Sequence, residues 1–365
     1  MKVSPQAWPD LMTAVRSVPD GLRESLDRSL DWFEKPSSRE YFPVGEISHE
    51  RAHVSVYAFR EVFLRAASAA DLAEALQSEF EVYSSVGWDG RGTVLFTGYY
   101  SPTFAGSRTS SDTYRYPLYK RPDDLVSDPA TGEVLGRQVG DRIVPYPTRA
   151  EIESSRMLAG LELVWLRDRF DRYLIHVQGS AVLALTDGST MRVSYAGNNG
   201  YGYTSVARLL VADGKLRENE LSVGNVRRYL TTDPDELEKY LLRNDRYIFF
   251  RAADRVDWPT GSLGVKVTAR RTLATDKRLF PAGSVALVVT RLSRANGRAR
   301  RFEQFMLDQD TGGAIRSPGR ADIYFGIGEE AGKVAGAQYQ EGRLYYLMLK
   351  RERVSVWLAR LRSRG

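Results

Sequence analysis

Apolar residues recur at three- and four-residue spacing through most of the first 84 residues. This spacing predicts amphipathic helices. The segments that show it are LRESLDRSLDWF (22–33), VSVYAFREVFLRAA (54–67) and ADLAEALQSEF (70–80). Ser68 followed by Asp71 has the residue types of a helix start. We therefore predict a helical N-terminal segment.

The pattern changes to β-type alternation at Gly92 and stays mainly of that type for the next hundred residues. Thr148 and Glu151 form the capping box of one predicted helix. A polar, turn-rich stretch covers residues 101–112. The strands predicted in this region are TVLFTGYY (93–100), YRYPLYKR (114–121), YLIHVQGSAVLAL (173–185) and TMRVSYAG (190–197).

Helical spacing returns between about residues 202 and 242, and short alternating runs broken by Gly and Pro follow, as in a small barrel. The predicted helices are SVARLLVADG (205–214) and DELEKYLLR (235–243). The predicted strands are LGVKVTARRTLA (263–274), GSVALVVTRL (283–292), RRFEQFMLDQD (300–310) and GRLYYLMLKR (342–351). The basic tail VSVWLARLRSRG (354–365) is either a helix packed on the body or one that contacts a membrane surface.

Length and composition limit the function classes. A chain of 365 residues predicts two domains or one domain with an insertion. The absence of cysteine excludes disulfides, thiolate metal sites, a cysteine nucleophile and a lipid-anchor cysteine in this sequence. The three histidines, His49, His53 and His176, come without a carboxylate cluster, so we expect no metal site and no cofactor.

The formal net charge is +6, but basic and acidic residues are interspersed, so we expect no nucleic-acid partner. No signal peptide and no apolar run long enough to span a membrane is visible. Phosphate-loop, dinucleotide, zinc-protease and serine-hydrolase motifs are also absent from the sequence. We expect a monomer.

The densest group of candidate residues is DQDTGGAIRSPGRADIYFGIG (308–328). Gly312 and Gly313 allow the backbone to approach a ligand closely. Asp322 follows Arg320 and precedes apolar and aromatic residues, and burial beside such residues raises the pKa of a carboxyl into the range of a general acid. The alternative is an aspartate that caps a turn or pairs with Arg320.

Further candidates admit a functional and a structural interpretation. Asp310 and Asp276 can be supporting carboxylates, although the turn-like context of Asp276 favours a structural role. Aromatic and polar residues near FTGYYSP and HVQGSA suit a sugar-binding groove, because sugar rings stack on tyrosine while their hydroxyls take hydrogen bonds. These residues are Tyr99, Tyr100, Gln178, Ser180, Tyr195 and Asn198.

Several motifs, in the same order along the chain, resemble the MltA-type membrane-bound lytic murein transglycosylases with their C-terminal 3D domain. The resemblance covers roughly residues 93–350. The motifs are FTGYYSP (96–102), RYPLYKRP (115–122), TRAEI (148–152), VQGS (177–180), SYAGNNGYGYTS (194–205), LATDKRLFPAG (273–283), DTGGAI (310–315) and RADIYFGIG (320–328).

The resemblance implies a mainly β fold: a double-psi β-barrel domain (1–102 and 218–365) with a second small β-barrel domain inserted (103–217) and a substrate groove between them. It implies that Asp322 is the catalytic residue, with Asp276 and Asp310 in support. It also places Thr97, with Gly98 beside it, in the glycan-binding groove. Members of the family are typically anchored in the outer membrane by an N-terminal cysteine, and this chain has none. The expected location is the periplasm or the outer membrane, and peripheral contact with the outer membrane is one of the two interpretations left open for the basic tail.

The implied substrate is the glycan strand of peptidoglycan. The implied reaction cleaves the β-1,4 bond between MurNAc and GlcNAc and leaves a 1,6-anhydro end, with one aspartate as acid and base. Two alternatives remain from the residues alone. One is a polysaccharide hydrolase that uses Asp310 and Asp322 with water. The other is a non-catalytic cell-wall-binding module.

Overall fold

The computed structural model describes residues 1–16, 21–129, 132–221, 223–253, 258–293 and 299–363. The α-helices are α1 (Leu11–Arg16), α2 (Leu22–Phe33), α3 (His49–Arg65), α4 (Ala69–Glu79), α5 (Arg149–Ser154), α6 (Arg169–Gln178), α7 (Val206–Ala212), α8 (Val223–Leu230), α9 (Pro234–Leu242), α10 (Gly328–Ala337) and α11 (Arg351–Arg362). Short 3-10 helices cover Pro5–Ala7, Pro36–Tyr41 and Glu218–Glu220.

The strands of the described residues form three sheets. They are β1 (Phe80–Ser84), β2 (Val94–Ser101), β3 (Thr103–Ser107), β4 (Tyr116–Tyr119), β5 (Leu125–Ser127), β6 (Val134–Val139), β7 (Arg142–Val144), β8 (Glu162–Leu166), β9 (Ser180–Leu185), β10 (Thr190–Asn198), β11 (Ile248–Ala252), β12 (Thr272–Ala274), β13 (Val285–Ser293), β14 (Ala299–Asp310), β15 (Arg320–Ile327) and β16 (Tyr339–Leu349).

The chain divides into two compact units. Unit 1 comprises Met1–Tyr99, Thr260–Gly326 and Lys333–Gly365, and unit 2 comprises Tyr100–Pro259 and Ile327–Gly332. The division falls inside β2, between Tyr99 and Tyr100. Each unit has its own sheets and its own buried apolar residues, and each is described separately below.

Unit 1 contains a sheet with the strand order β1-β16-β13-β14-β12-β15-β2, in which β2 also pairs with β16. Six of these strands therefore form a closed ring of pairings. They are β16, β13, β14, β12, β15 and β2. β12 runs parallel to β14 and antiparallel to β15, whereas β13 pairs antiparallel with β14 over nine residue pairs. This arrangement brings strands that are distant in sequence side by side.

The N-terminal helices, which the apolar spacing predicted, pack on this sheet. Phe59 of α3 lies with its ring centroid 5.1 Å from that of Phe305 on β14. The buried amide of Gln309 donates to the Ser25 carbonyl oxygen at 2.8 Å and to the Ser29 hydroxyl at 3.0 Å. The predicted helix start is also confirmed, because the Ser68 side chain accepts a hydrogen bond from the Asp71 N–H.

The tail helix α11 packs back on unit 1. Trp357 is 4% exposed, and its indole N–H donates to Glu79 at 2.7 Å. Arg353 also donates to Glu79, at 2.8 Å. Of the two interpretations of the tail, packing on the body is the one observed; residues 364–365 lie outside the described part. Among the described helices, none has the length and apolar character needed to cross a membrane.

Unit 2 contains a six-stranded sheet, β11-β10-β9-β3-β8-β4, and a three-stranded sheet, β5-β6-β7. The predicted insertion, 103–217, lies within this unit. The unit continues to Pro259 because α8 and α9 share one apolar core with α6 and α7. That core is built from Phe170, Tyr173, Val206, Leu210, Val226, Leu230, Tyr240 and Leu241.

Two predicted strands are wrong in part. Residues 173–178 belong to helix α6, which the Asp168 side chain caps and which ends at Gly179 in the left-handed conformation, so only residues 180–185 form a strand. Residues 263–271 are not a strand either, because the backbone turns there. The N–H groups of Arg271 and Thr272 both bond to the Thr268 carbonyl oxygen, at 3.0 and 2.9 Å, and Arg270 has a φ of 57°.

The fold is therefore mixed α/β, with a helical N-terminus and several β-sheets. The predicted helical N-terminal segment is present, and so is the capping box of Thr148 and Glu151 at α5. The description "mainly β" was too narrow, because α6 to α9 contribute a helical core to unit 2.

Candidate active site

Asp322 lies near the start of β15, between β12 on one side and β2 on the other. It is in register with Ala274 of β12, and Ala274 is in register with Asp310 of β14. The two aspartates therefore stand at one level of the sheet, two strand spacings or about 9.5 Å apart along the hydrogen-bonding direction. On the other side of β15, Thr97 of β2 contacts Asp322 directly.

The Asp322 carboxylate is mostly buried, with 16% of the side chain exposed. The Thr97 hydroxyl donates to its Oδ1 atom. Nε of Arg320 lies 3.3 Å from the same oxygen, and Nη2 of Arg320 lies 3.3 Å from the Thr97 hydroxyl. The pairing with Arg320 foreseen from the sequence is therefore present, and the three side chains form one connected group.

Asp310 has both carboxylate oxygens engaged. Oδ1 accepts from the N–H groups of Ser262 and Thr311, each at 2.8 Å, and Oδ2 accepts from the Tyr99 hydroxyl at 2.8 Å. Burial raises the pKa of Asp310 above its ordinary value, although these hydrogen bonds favour the ionised form. Asp310 thus fixes the position of neighbouring backbone and of Tyr99.

Asp276 is buried and organises a turn. Its carboxylate accepts two hydrogen bonds from the Arg278 guanidinium, at 2.9 and 2.7 Å, and one from the Arg278 N–H at 3.2 Å. Its carbonyl oxygen accepts from the N–H groups of Leu279 and Phe280. The hydrogen bonds from Arg278 lower the pKa of Asp276. The geometry matches the turn role that the sequence favoured.

Tyr99 and Gly98 shape the strand that carries Thr97. The Tyr99 ring lies 5.1 Å from the Tyr324 ring, and burial raises the pKa of its hydroxyl well above the ordinary value, so it remains a donor to Asp310. Gly98 permits a close approach, since a Cβ there would lie 2.6 Å from the Phe325 ring and 2.7 Å from Cα of Ala335. Packing alone therefore requires glycine at this position.

Gly312 and Gly313 lie in the loop that joins β14 to β15, between Asp310 and Asp322. Gly313 is exposed and Gly312 is half-buried. A Cβ on Gly312 would touch only the Ile315 side chain, at 3.4 Å. The loop therefore has room at Gly312, and the ligand-contact role of both glycines stays a prediction.

Sequence reasoning left Asp308 without a role, and the structure gives it one. The Asp308 side chain is fully buried and forms an ion pair with Lys277, whose side chain is 9% exposed. The Thr275 and Tyr346 hydroxyls each donate to its Oδ2 at 2.7 Å. Lys277 follows Asp276 directly, but nothing in the local pattern indicates that it reaches a residue on β14.

Arg320 was noted only as an alternative partner, and it proves to be a member of the site. Its position two residues before Asp322 on one strand places both side chains on the same face. That spacing is a signal that sequence reasoning could have used.

Some of the sugar-binding candidates meet in unit 2. The hydroxyls of Ser180 and Ser101 lie 3.2 Å apart, next to Tyr100 at the end of β2. Tyr100 packs against Gly332, where a Cβ would lie 2.8 Å from its ring. Gln178 ends α6, and its Oε1 atom is buried without a hydrogen-bond partner among the described residues. These polar groups suit a ligand that offers hydrogen bonds.

Tyr195 and Asn198 form a second group, on β10. The Asn198 amide donates to the Tyr195 hydroxyl at 2.6 Å, and Tyr195 is 45% exposed. Ser194, which precedes Tyr195, is in register with Ser180 of β9, so the Tyr195 side chain projects to the opposite face of the sheet from Ser180. No cluster of three or more His, Cys, Asp or Glu residues able to hold a metal occurs in the part of the chain that the structure describes.

Comparisons with known proteins cover most of the chain. The profile of the MltA-specific insert domain matches residues 95–251, and that of the 3D domain matches residues 271–348. The membrane-bound lytic murein transglycosylase A of Escherichia coli K12 is 30% identical over 297 residues, which are 80% of this chain and 75% of the relative. The homologue from Vibrio cholerae is 28% identical over 72% of this chain and 68% of its own length.

Solved structures have the same fold. A membrane-bound lytic murein transglycosylase from Agrobacterium tumefaciens is 27% identical, with a TM-score of 0.78, and the match covers 98% of this chain and 99% of the other. The E. coli MltA structure with bound chitohexaose has a TM-score of 0.70 at 24% identity, over 91% and 92% of the two chains. These matches confirm the resemblance noted in the sequence. The chain therefore belongs to the MltA family of membrane-bound lytic murein transglycosylases, and it is a lytic transglycosylase with the MltA insert and the 3D domain.

Proposed function

We propose that this enzyme cleaves the β-1,4 bond between MurNAc and GlcNAc in peptidoglycan and forms a 1,6-anhydro end, with Asp322 as the single acid and base. The observation that carries the proposal is the contrast among three aspartates. Asp276 and Asp310 have both oxygens engaged by neighbours, whereas the contacts that Asp322 makes with the described residues both end on Oδ1.

The Oδ2 atom of Asp322 is the position for the transferred proton. A proton on Oδ2 leaves the hydrogen bonds of Thr97 and Arg320 to Oδ1 in place. In the first step the acid gives this proton to the bridging oxygen, and positive charge develops at C1 of MurNAc. The C1–O bond breaks and the GlcNAc portion leaves as an alcohol.

In the second step the C6 hydroxyl of the same MurNAc attacks C1, and its proton passes to the Asp322 carboxylate. The acid is thereby regenerated and no water is consumed. The intramolecular hydroxyl gains from proximity, since it is held next to C1 by the sugar itself. The positive charge of Arg320, 3.3 Å from Oδ1, stabilises the carboxylate that exists between the two steps.

A hydrolase that uses Asp310 and Asp322 is the second candidate. Inverting hydrolases hold two carboxyls roughly 6.5–9.5 Å apart with a water between them, and the strand spacing between Asp310 and Asp322 is compatible with that range. Against it, Asp310 already accepts three hydrogen bonds. These leave little of its acceptor capacity for a water molecule.

Products formed in heavy-oxygen water separate the two reactions. Purified peptidoglycan is digested and the soluble fragments are analysed by mass spectrometry. We expect anhydro ends without label, from the wild type and from Asp310→Asn at a reduced rate, and at least about 100-fold fewer fragments from Asp322→Asn in the same time. Reducing ends that carry the heavy oxygen mean hydrolysis. A protein that binds the polymer without releasing any fragment is a binding module.

Further features of the family extend the proposal. The closed pairing of β2, β12, β13, β14, β15 and β16 supports a double-psi β-barrel in unit 1. The E. coli homologue was solved with chitohexaose, which supports a glycan strand as the ligand of this enzyme. The curated relatives are named membrane-bound, which supports a periplasmic or outer-membrane location, although this sequence contains no cysteine for a lipid anchor.

A further inference from the structure

Tyr339 is the most exposed large aromatic residue in the described part of unit 1, with 71% of its surface accessible. A single exposed aromatic residue has no meaning by itself. The position of Tyr339 in the sheet, however, indicates a function. Tyr339 is the first residue of β16 and is the direct cross-strand partner of Thr97 on β2.

Cross-strand partners in an antiparallel pair project to the same face of the sheet. The neighbouring pair, Gln340 and Phe96, projects to the opposite face, where Phe96 is fully buried. Tyr339 and Thr97 therefore share the outer face. Because the Thr97 hydroxyl contacts Asp322, one row across β16, β2 and β15 carries Tyr339, Thr97 and Asp322.

The dimensions of the row suit an oligosaccharide. Two strand spacings separate the backbone at Tyr339 from that at Asp322, or about 9.5 Å. A sugar ring that stacks on Tyr339 would thus lie one or two rings away from a bond placed at Asp322. Aromatic rings bind the C–H faces of sugars, and hydroxyls such as that of Thr97 bind their polar edges.

The backbone next to Tyr339 is held in place. The buried Gln338 side chain donates to the carbonyl oxygen of Arg291 at 3.0 Å and to that of Phe96 at 3.4 Å, and it accepts from the Ser293 N–H at 3.0 Å. The start of β16 is thus tied to two strands. A platform whose backbone is already fixed loses little conformational entropy when a ligand binds.

We propose that Tyr339 is a stacking platform for the glycan strand, which crosses this face along the row from Tyr339 to Asp322, perpendicular to the β-strands. The inference rests on the proposed function, because Asp322 is taken as the point of cleavage. It adds a binding residue and the direction of the polymer over unit 1.

Trp88 provides a matched control. It is 62% exposed, belongs to unit 1 and lies beside Gly319, where a Cβ would be 2.4 Å from the Trp88 Cβ atom. Gly319 directly precedes β15, so Trp88 lies along the strand direction from Asp322 and not on the crosswise row. A glycan strand that follows the row does not need Trp88.

Binding is measured without turnover, in the Asp322→Asn background, by calorimetric titration with chitohexaose. We expect Tyr339→Ala to weaken binding about tenfold, equivalent to about 1.4 kcal/mol. Tyr339→Phe keeps binding within about twofold, because the ring face is retained. Trp88→Ala also stays within about twofold. In the active enzyme, Tyr339→Ala raises KM more than it lowers kcat, as expected for loss of uniform binding.

The proposal is overturned if Tyr339→Ala binds chitohexaose as tightly as its parent, or if Trp88→Ala loses as much as Tyr339→Ala. Absence of chitohexaose binding by the parent Asp322→Asn protein also overturns it. These outcomes are independent of the reaction products, so the stacking platform can fail while Asp322 remains the acid, and the reverse is equally detectable.

Discussion

Asp308 and Asp322 flank the same glycine-rich loop, yet their surroundings are opposite. Asp308 is fully buried. Its carboxylate forms an ion pair with the ammonium group of Lys277 and accepts hydrogen bonds from the hydroxyls of Thr275 and Tyr346. Asp322 retains 16% exposure, and its contacts with Thr97 and Arg320 end on one oxygen. In the part of the chain that the structure describes, the first carboxylate is saturated with partners, whereas one oxygen of the second has none.

The difference between Asp308 and Asp322 shows that two aspartates of one sequence motif can have different roles, one in stability and the other, as proposed, in chemistry. A buried charge is tolerated only when hydrogen bonds and an opposite charge compensate the loss of water. A group that transfers a proton needs, in addition, an oxygen that the substrate can reach. Strand β14 carries Asp308 and Asp310, whose carboxylate oxygens are engaged by neighbours, and β15 carries Asp322, the proposed acid. Replacing residues in each region should therefore affect different properties.

The largest expected effect is on the rate of Asp322→Asn. Removal of a general acid and base lowers a rate by about 10²- to 10⁴-fold. Stability should stay within about 0.5 kcal/mol, because the amide oxygen of asparagine can still accept the hydrogen bonds made to Oδ1. Turbidity loss of peptidoglycan suspensions gives the rate and urea unfolding gives the stability. Rapid lysis by this variant would show that the acid is another residue.

Lys277→Met should have the opposite profile, with a large loss of stability. The variant leaves the Asp308 carboxylate buried without its cation, and breaking a buried ion pair in this way costs roughly 3–5 kcal/mol. Urea unfolding of the purified variant measures the free energy of unfolding. A loss below about 1 kcal/mol would mean that the pair is not buried in solution.

The double variant Lys277→Met with Asp308→Leu sharpens this test. Replacing both members of a buried ion pair with apolar residues is often nearly neutral. We expect it to regain at least half of the stability lost in the single variant. If the double variant is less stable than Lys277→Met, the hydroxyls of Thr275 and Tyr346 contribute more than the cation, since they then lose their acceptor.

Gly98→Ala tests the packing of β2 next to Thr97, the residue that contacts Asp322. The added methyl group would meet the Phe325 ring at 2.6 Å and the Ala335 backbone at 2.7 Å, so we expect a loss of about 1–3 kcal/mol. Gly336→Ala in α10 is the control, because a Cβ there has open space. Alanine in a helix is favoured over glycine by up to about 1 kcal/mol. Equal unfolding midpoints for both variants would argue against the close packing at Gly98.

Local signals predicted much of the fold. Helix α2 and the caps at Ser68 and Thr148 follow from apolar spacing and capping residues within a few positions. The strand predicted across residues 173–178 failed because an apolar run beside Gly179 fits a buried helix as well as a strand. The Asp168 cap favours the helix, but it precedes the run by several residues.

The site was predicted less completely, for a physical reason. Asp322, Asp310 and Asp276 were named from motifs, but their different hydrogen bonding depends on strands far apart in sequence. The pairing of β12 with both β14 and β15 places Asp310 and Asp322 at the level of Ala274. The ion pair of Lys277 with Asp308 depends on the same pairing. No local spacing carries that information, since register is set by the whole sheet.

Asp276→Ala should give the smallest effect, and its dependence on pH identifies its cause. The pKa of Asp276 is lowered in the folded protein by the hydrogen bonds from Arg278, so its carboxylate stabilises the fold at pH values above its ordinary pKa of about 3.8. That contribution is lost as the pH falls through the lowered pKa. Because the Arg278 side chain is 67% exposed, the ion pair is screened by water, and we expect a loss of only about 1–2 kcal/mol near neutral pH.

The difference in unfolding free energy between wild type and Asp276→Ala should therefore remain constant from about pH 7 to about pH 5 and shrink below about pH 4. Asp112→Ala, at an exposed loop position, serves as the control and should match the wild type throughout. A difference that persists undiminished at low pH would mean that Asp276 stabilises its turn through backbone geometry and not through its charge. In that case the two carboxylates would stabilise unit 1 in different ways. Asp308 would depend on its ion pair with Lys277, whereas Asp276 would not depend on its ion pair with Arg278.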